Sequence, residues 1–187
     1  MIVLEGQKVE DIIKGDILKK GVEKYSEIMR RFEDIKDLTA DVDFQRLFNV
    51  FYGLNRGRTS EWKGKYYSLF EEARGKDVNY GILLDAFYKR TNRVEASFIS
   101  KMVATIDPDN PIIDSVVLKH VQLKLPYCKT KGRIEKTVEV YESLRLIFSD
   151  YLLSDEGHLL VKLFKQTFGN KVRSEYKMLD FVLWGDR

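Results

Sequence analysis

The spacing of the apolar residues restricts the fold more than any other feature of this chain. Phe44, Leu47, Phe48, Phe51 and Leu54 recur at i, i+3, i+4, i+7 and i+10, which puts all five on one stripe of a helix. The period returns in Trp62, Tyr66, Leu69 and Phe70, in Tyr80, Leu83, Leu84, Phe87 and Tyr88, and in Phe98, Ile99, Met102, Val103 and Ile106. Further along it marks a long helix through Ile134, Val138, Tyr141, Leu144, Ile147, Phe148 and Tyr151. Two more helices follow, one with Leu159, Leu160, Leu163 and Phe164, the other with Met178, Leu179, Val182 and Leu183. Capping residues stand where these helices should begin: Asp41 or Asp43, Ser60, Ser154 and Ser174. Gly75 and Gly169 mark expected stops. Residues 7–38 read as one or two helices, broken near Gly15 and Gly21.

One segment interrupts the pattern. Asp107-Pro108-Asp109-Asn110-Pro111 cannot continue a helix, because each proline lacks an N–H and biases its predecessor away from helical backbone. With Asn110 as cap and Pro111 at the first helical position, a helix is expected through Ile112, Ile113, Val116 and Val117 toward Val121. A strand is the alternative for this β-branched run, although nothing nearby offers a partner. Residues 124–133, with Pro126 and Gly132, read as a loop. The expected fold is therefore all-α, a compact bundle of eight to ten helices. It forms one domain over residues 1–187, or two lobes, 44–125 and 1–43 with 134–187.

Composition removes several classes of function. With 44% apolar residues, 33% charged residues and three prolines in 187, the chain is neither disordered nor collagenous. Cys128 is the only cysteine, which excludes an internal disulfide, a cysteine zinc site and an iron–sulfur cluster within one chain. His120 and His158 lack metal-ligand spacing, and no glycine-rich nucleotide loop is present. No cofactor or metal is expected, so acid–base chemistry falls to carboxylates, lysines or tyrosines. No apolar run reaches the roughly 18 residues of a membrane span. The opening stretch also lacks a basic region followed by an apolar one, so a cytoplasmic location is expected.

The net charge of +3 is small, but it is unevenly spread. Acids lead eleven to eight from Met1 to Asp43. Arg56, Arg58, Lys63 and Lys65 then face only Glu61, and Lys119, Lys124, Lys129, Lys131, Arg133 and Lys136 face only Glu135. The two basic stretches make one phosphate-binding face only if the fold brings them together.

From Thr91 to Val117 the order is a polar hairpin (Thr91-Asn92-Arg93-Val94), a helix to Ile106, a proline turn, and then Ile113-Asp114-Ser115-Val116. This order resembles the helix-hairpin-helix (HhH-GPD) superfamily of base-excision DNA glycosylases, in which a turn after the hairpin and helix delivers a catalytic aspartate. Phe44 to Asn55 is similar to the family helix that ends in a glutamine-containing turn. Lys177 to Trp184 is similar to its closing helix. The resemblance implies double-stranded DNA as partner, a monomer acting in base-excision repair, and a base flipped out of the duplex before its N-glycosidic bond is hydrolysed.

It also implies roles. Asp114 corresponds to the carboxylate that stabilises the cationic sugar. Asn92, Arg93 and Val94 lie on the hairpin against a phosphate; Asn55 and Arg56 correspond to the wedge that enters the stack. Arg58, Lys129 and Lys131 are further DNA contacts, and Tyr52, Trp62, Asp180 and Trp184 candidates for the base pocket. The chain lacks both hairpin glycines and has Val116 where the family has a histidine. At the family's lysine position it has Ala96 and Ser97, and Lys101 lies more than a turn further on and reads as a surface residue. A monofunctional hydrolase is therefore expected, with a non-catalytic DNA-binding protein or an α-helical protein-interaction module as alternatives.

Overall fold

A computed structural model describes residues 2, 4, 6–55 and 57–186 of the chain. Among these it is all-helical: α1 (Gly6–Lys14), α2 (Asp16–Asp34), α3 (Val42–Tyr52), α4 (Ser60–Ala73), α5 (Tyr80–Thr91), α6 (Ala96–Ile106), α7 (Ser115–His120), α8 (Arg133–Leu152), α9 (Asp155–Phe168) and α10 (Glu175–Gly185). No helix among the described residues is long and apolar enough to cross a membrane.

Local chemistry explains most of the boundaries. Asp41 accepts the Phe44 N–H at 2.7 Å, Asn79 that of Ile82 at 3.0 Å, and Ser154 that of Gly157 at 3.1 Å, each satisfying an amide that the first turn leaves free. At the start of α4 it is Thr59, one residue before the expected Ser60, that accepts the Trp62 N–H. Gly15 does separate α1 from α2, but Gly21 does not break α2, which runs unbroken past it. Asn92 ends α5 in the left-handed region (φ 54°), which its short polar side chain tolerates better than most.

The largest correction concerns the segment after the proline turn. Asn110 does not cap a helix; its amide folds back on Asp107 at 2.7 Å. Pro111 to Asp114 is extended, and α7 starts only at Ser115. The run is neither helix nor paired strand because Ile112 and Ile113 are buried in the core and the Ile113 N–H is taken by Ser100 Oγ at 2.9 Å. A helix starting at Pro111 would forfeit that bond.

A single apolar cluster draws side chains from all ten helices. The helices pack in series, α1 on α9, α9 on α10 and α8, α8 on α5, and α5 on α4 and α6. Helix α10 touches α1, α2, α7, α8 and α9. Helix α6 is buried nearly all round: Ala96, Ile99, Ser100, Lys101, Met102, Val103, Ala104 and Thr105 are all inside. This deep helix and the extended segment bonded to it position the candidate site.

Candidate active site

Lys101 projects from the middle of α6 and is 8% exposed, so it is not the surface lysine that the sequence suggests. Its Nζ donates to the Tyr52 carbonyl at 3.2 Å and to Ser97 Oγ at 3.0 Å. It also lies 5.1 Å from the Phe98 ring centroid and 5.9 Å from that of Tyr52. Burial holds this amine below its ordinary pKa; the carboxylates of Asp114 and Asp180 oppose the shift and the Lys177 charge adds to it. Desolvation beside a second cation, here Lys177, is what makes a lysine amine nucleophilic, and both act on Lys101.

Asp114 is half-buried and caps α7, with one carboxylate oxygen accepting the Val116 N–H at 2.8 Å. Its second oxygen is left for other partners, and its charge acts on Lys101. The two residues are held in register by Ser100, adjacent to Lys101 and fully buried, which donates to the Ser97 carbonyl at 2.9 Å while accepting the Ile113 N–H. One hydroxyl thus ties the segment bearing Asp114 to the helix bearing Lys101. Tyrosines anchor α6 from outside, as Tyr66 donates to the Phe98 carbonyl at 2.9 Å and Tyr80 to that of Ala96 at 3.2 Å.

The closing helix supplies the other wall. Lys177 and Asp180 form a buried ion pair at 2.6 Å, one turn apart on α10. The Lys177 ammonium is ringed by Tyr25, Phe51, Tyr52 and Phe181, between 4.6 and 5.7 Å from their centroids. Burial pushes the Tyr52 phenol well above its usual range, with the Asp180 charge acting in the same direction. Of the four candidates for a base pocket, Tyr52 touches Lys101 through its carbonyl, and Asp180, paired with Lys177, acts on both Tyr52 and Lys101 through its charge. Trp62 lies on the far side of Phe98, its ring 5.2 Å from that of Phe98 and stacked on Tyr66. Trp184, half-buried, is one turn beyond Asp180 on α10. Lys101, Ser100 and Lys177 escape motif reading. Their signal is that Ala96 to Ile106 carries a single charge, Lys101, on a narrow stripe whose other members are small (Ser97, Ser100, Ala104, Thr105), the pattern of a helix with little solvent-facing surface.

The candidate DNA contacts divide. Asn55, Asn92, Arg93, Lys129 and Lys131 are exposed, and Val94 is half-buried on the core. Arg56 lies outside the described residues. Arg58 is turned inward, 16% exposed, and donates to Glu95 at 2.8 Å. Glu95 also lies 3.2 Å from the exposed Arg93. A cleft of about 420 Å³ opens between the hairpin residues Asn92 and Val94 and the loop residues Cys128, Thr130 and Arg133. The fold thus sets both basic stretches against the hairpin, the first through Arg58 and Glu95 and the second across this cleft. Neither this cleft nor a smaller one of about 280 Å³ between α2 and α3 contains Asp114.

Among the described residues, no three His, Cys, Asp or Glu side chains cluster closely enough to hold a metal ion. The chain matches no protein-family model, no curated protein and no solved structure, so its functional reading rests on the chemistry of this site.

Proposed function

We propose that this protein is a DNA glycosylase that flips a damaged or modified base and breaks its N-glycosidic bond, with Asp114 and Lys101 at the reacting sugar. The observation that carries the reading is that the buried Ser100 hydroxyl ties the segment bearing the half-buried Asp114 carboxylate to the helix bearing the desolvated Lys101 amine. Breaking this bond builds positive charge on the sugar, and a fixed carboxylate lowers the energy of that state. Once deprotonated, the desolvated Lys101 amine adds a nucleophile. As its nitrogen bonds to C1′ the glycosidic bond breaks, the electron pair leaves with the base, and a proton lost from the amine passes through Asp114 to the departing base. Exposed Asn92, Arg93, Lys129 and Lys131 supply phosphate contacts, and exposed Asn55 the wedge that enters the stack.

The test is incubation with duplexes carrying a panel of base lesions, scored for strand breaks after alkali and for covalent adducts after borohydride. The expected result is base release that is lost in Asp114→Asn, a substitution that keeps a side-chain acceptor for the α7 cap but removes the charge. An adduct lost in Lys101→Met identifies the amine as the nucleophile, whereas release without an adduct assigns that role to water. Release retained in Asp114→Asn overturns the assignment of Asp114.

A second reading, DNA binding without catalysis, is favoured by the part Asp114 already plays as a helix cap. It predicts salt-sensitive duplex binding that survives Asp114→Asn, with no base released from any substrate.

A further inference from the structure

Arg58 is placed unusually for a residue in a basic stretch. Its guanidinium carbon lies 5.1 Å from the Trp62 ring centroid and 4.9 Å from that of Phe98, capping the corner where these two rings meet at 70°. Tyr66 stacks in parallel on Trp62, with an interplanar angle of 10°. Trp62 thus has Tyr66 stacked on it, Phe87 and Phe98 edge-on, and, beside these rings, a planar cation on a long, rotatable side chain.

The polar atoms at this corner are poorly matched. Arg58 Nε, Trp62 Nε1 and Glu95 Oε1 are all buried without a hydrogen-bond partner. Trp62 is 6% exposed and Glu95 8%. Folded proteins leave few such groups, because each loses its bonds to water without replacement. Three of them, two donors and one acceptor, lie at this one aromatic corner. Arg93, close enough to Glu95 Oε1 to offset its charge but not aligned to bond it, remains as a counter-charge if Arg58 leaves. The corner also adjoins Lys101, whose Nζ lies 5.1 Å from the centroid of the same Phe98 ring.

We infer that Arg58 occupies a stacking site for a planar heteroaromatic ring bearing an N–H donor, and that the ligand replaces its guanidinium on Trp62 and Phe98. The ring gains the aromatic surface, and its N–H bonds Glu95 Oε1. Arg58 rotates outward, where it meets phosphate rather than carboxylate. This inference rests on the glycosylase reading for the identity of its natural ligand, a flipped base, but the stacking site itself is tested without DNA.

The experiment measures quenching of tryptophan fluorescence by free adenine in the wild type, in Arg58→Ala and in Arg58→Ala/Trp62→Phe. Removing the covering guanidinium should tighten adenine binding roughly ten-fold, the worth of one base–aromatic stack. The gain should vanish in the double variant. Equal affinity in the wild type and a helical Arg58→Ala overturns the inference. If Arg58→Ala does not fold, Arg58→Lys decides: it keeps a cation for Glu95 but stacks poorly, and unchanged adenine affinity in it has the same overturning force. Duplex binding, followed in parallel by fluorescence anisotropy, separates the two claims. A protein that binds duplex but shows no adenine gain loses only the stacking site. One that gains adenine affinity without binding duplex keeps the site and loses the DNA reading.

Discussion

Replacing Asp180 with Asn tests the buried pair at the wall of the site. Lys177 and Asp180 have side chains 6% and 10% exposed and meet at 2.6 Å, so the substitution leaves an ammonium in the core without its counter-charge. Removing one partner of such a pair typically costs about 3–5 kcal/mol. The four rings around Lys177 retain part of its stabilisation, with cation–π attraction reaching about 2 kcal/mol in a desolvated setting. The expected loss for Asp180→Asn is therefore at the lower end, about 3 kcal/mol. In a chain of this size each kcal/mol moves the melting temperature about 2–4 °C, so a fall of about 6–12 °C follows. Lys177→Met/Asp180→Leu, which removes both charges and fills the space, should return to within about 1 kcal/mol of the wild type. Thermal and urea melts followed by circular dichroism measure all three proteins. A loss below about 1 kcal/mol for Asp180→Asn, the size expected of an exposed pair, refutes the reasoning. So does a double variant as unstable as the single one.

Other outcomes follow from the same contacts. Ser100→Ala strands the buried Ile113 N–H and should cost about 1–3 kcal/mol in urea melts, with base release lowered because Asp114 loses its tie to α6. Wild-type stability in that variant would remove Ser100 from the argument. Gly157→Ala should destabilise by about 3 kcal/mol or more, because its Cβ would lie 2.1 Å from the Tyr151 carbonyl oxygen and 2.7 Å from Leu152 Cα, backbone atoms that cannot turn aside; a folded, equally stable variant contradicts the close approach of α8 and α9. Lys101 predicts a pH effect of definite sign. Its folded pKa lies below the ordinary 10.5, so between the two values the unfolded chain holds more protons and folding gains stability as pH rises. Wild type minus Lys101→Met, which cancels the tyrosines, should therefore rise in that window, and a flat or falling difference refutes the burial of a charged amine. Burial likewise pushes the phenols of Tyr25, Tyr66, Tyr67, Tyr80 and Tyr141 up, so ultraviolet titration should show them ionising only as the protein unfolds.

Features set by near neighbours in the chain are local ones. An apolar stripe repeating every three to four residues makes a helix wherever it occurs, and Asp41, Ser154 and Ser174 cap their helices because a side-chain oxygen reaches only its own first turn. The left-handed Asn92 is of the same kind. Tertiary structure decided whatever depends on neighbours distant in the chain. Lys101 is buried because residues distant in sequence cover most of α6, and the run after Pro111 stays out of α7 because Ser100, thirteen residues earlier than Ile113, takes its amide. Arg58 points inward to Glu95, 37 residues away, although its own surroundings in sequence read as an exposed basic stretch. Periodicity tells each helix which face to bury, but the charge and solvent at a given side chain are set by the helices packed against it, and no local pattern encodes that.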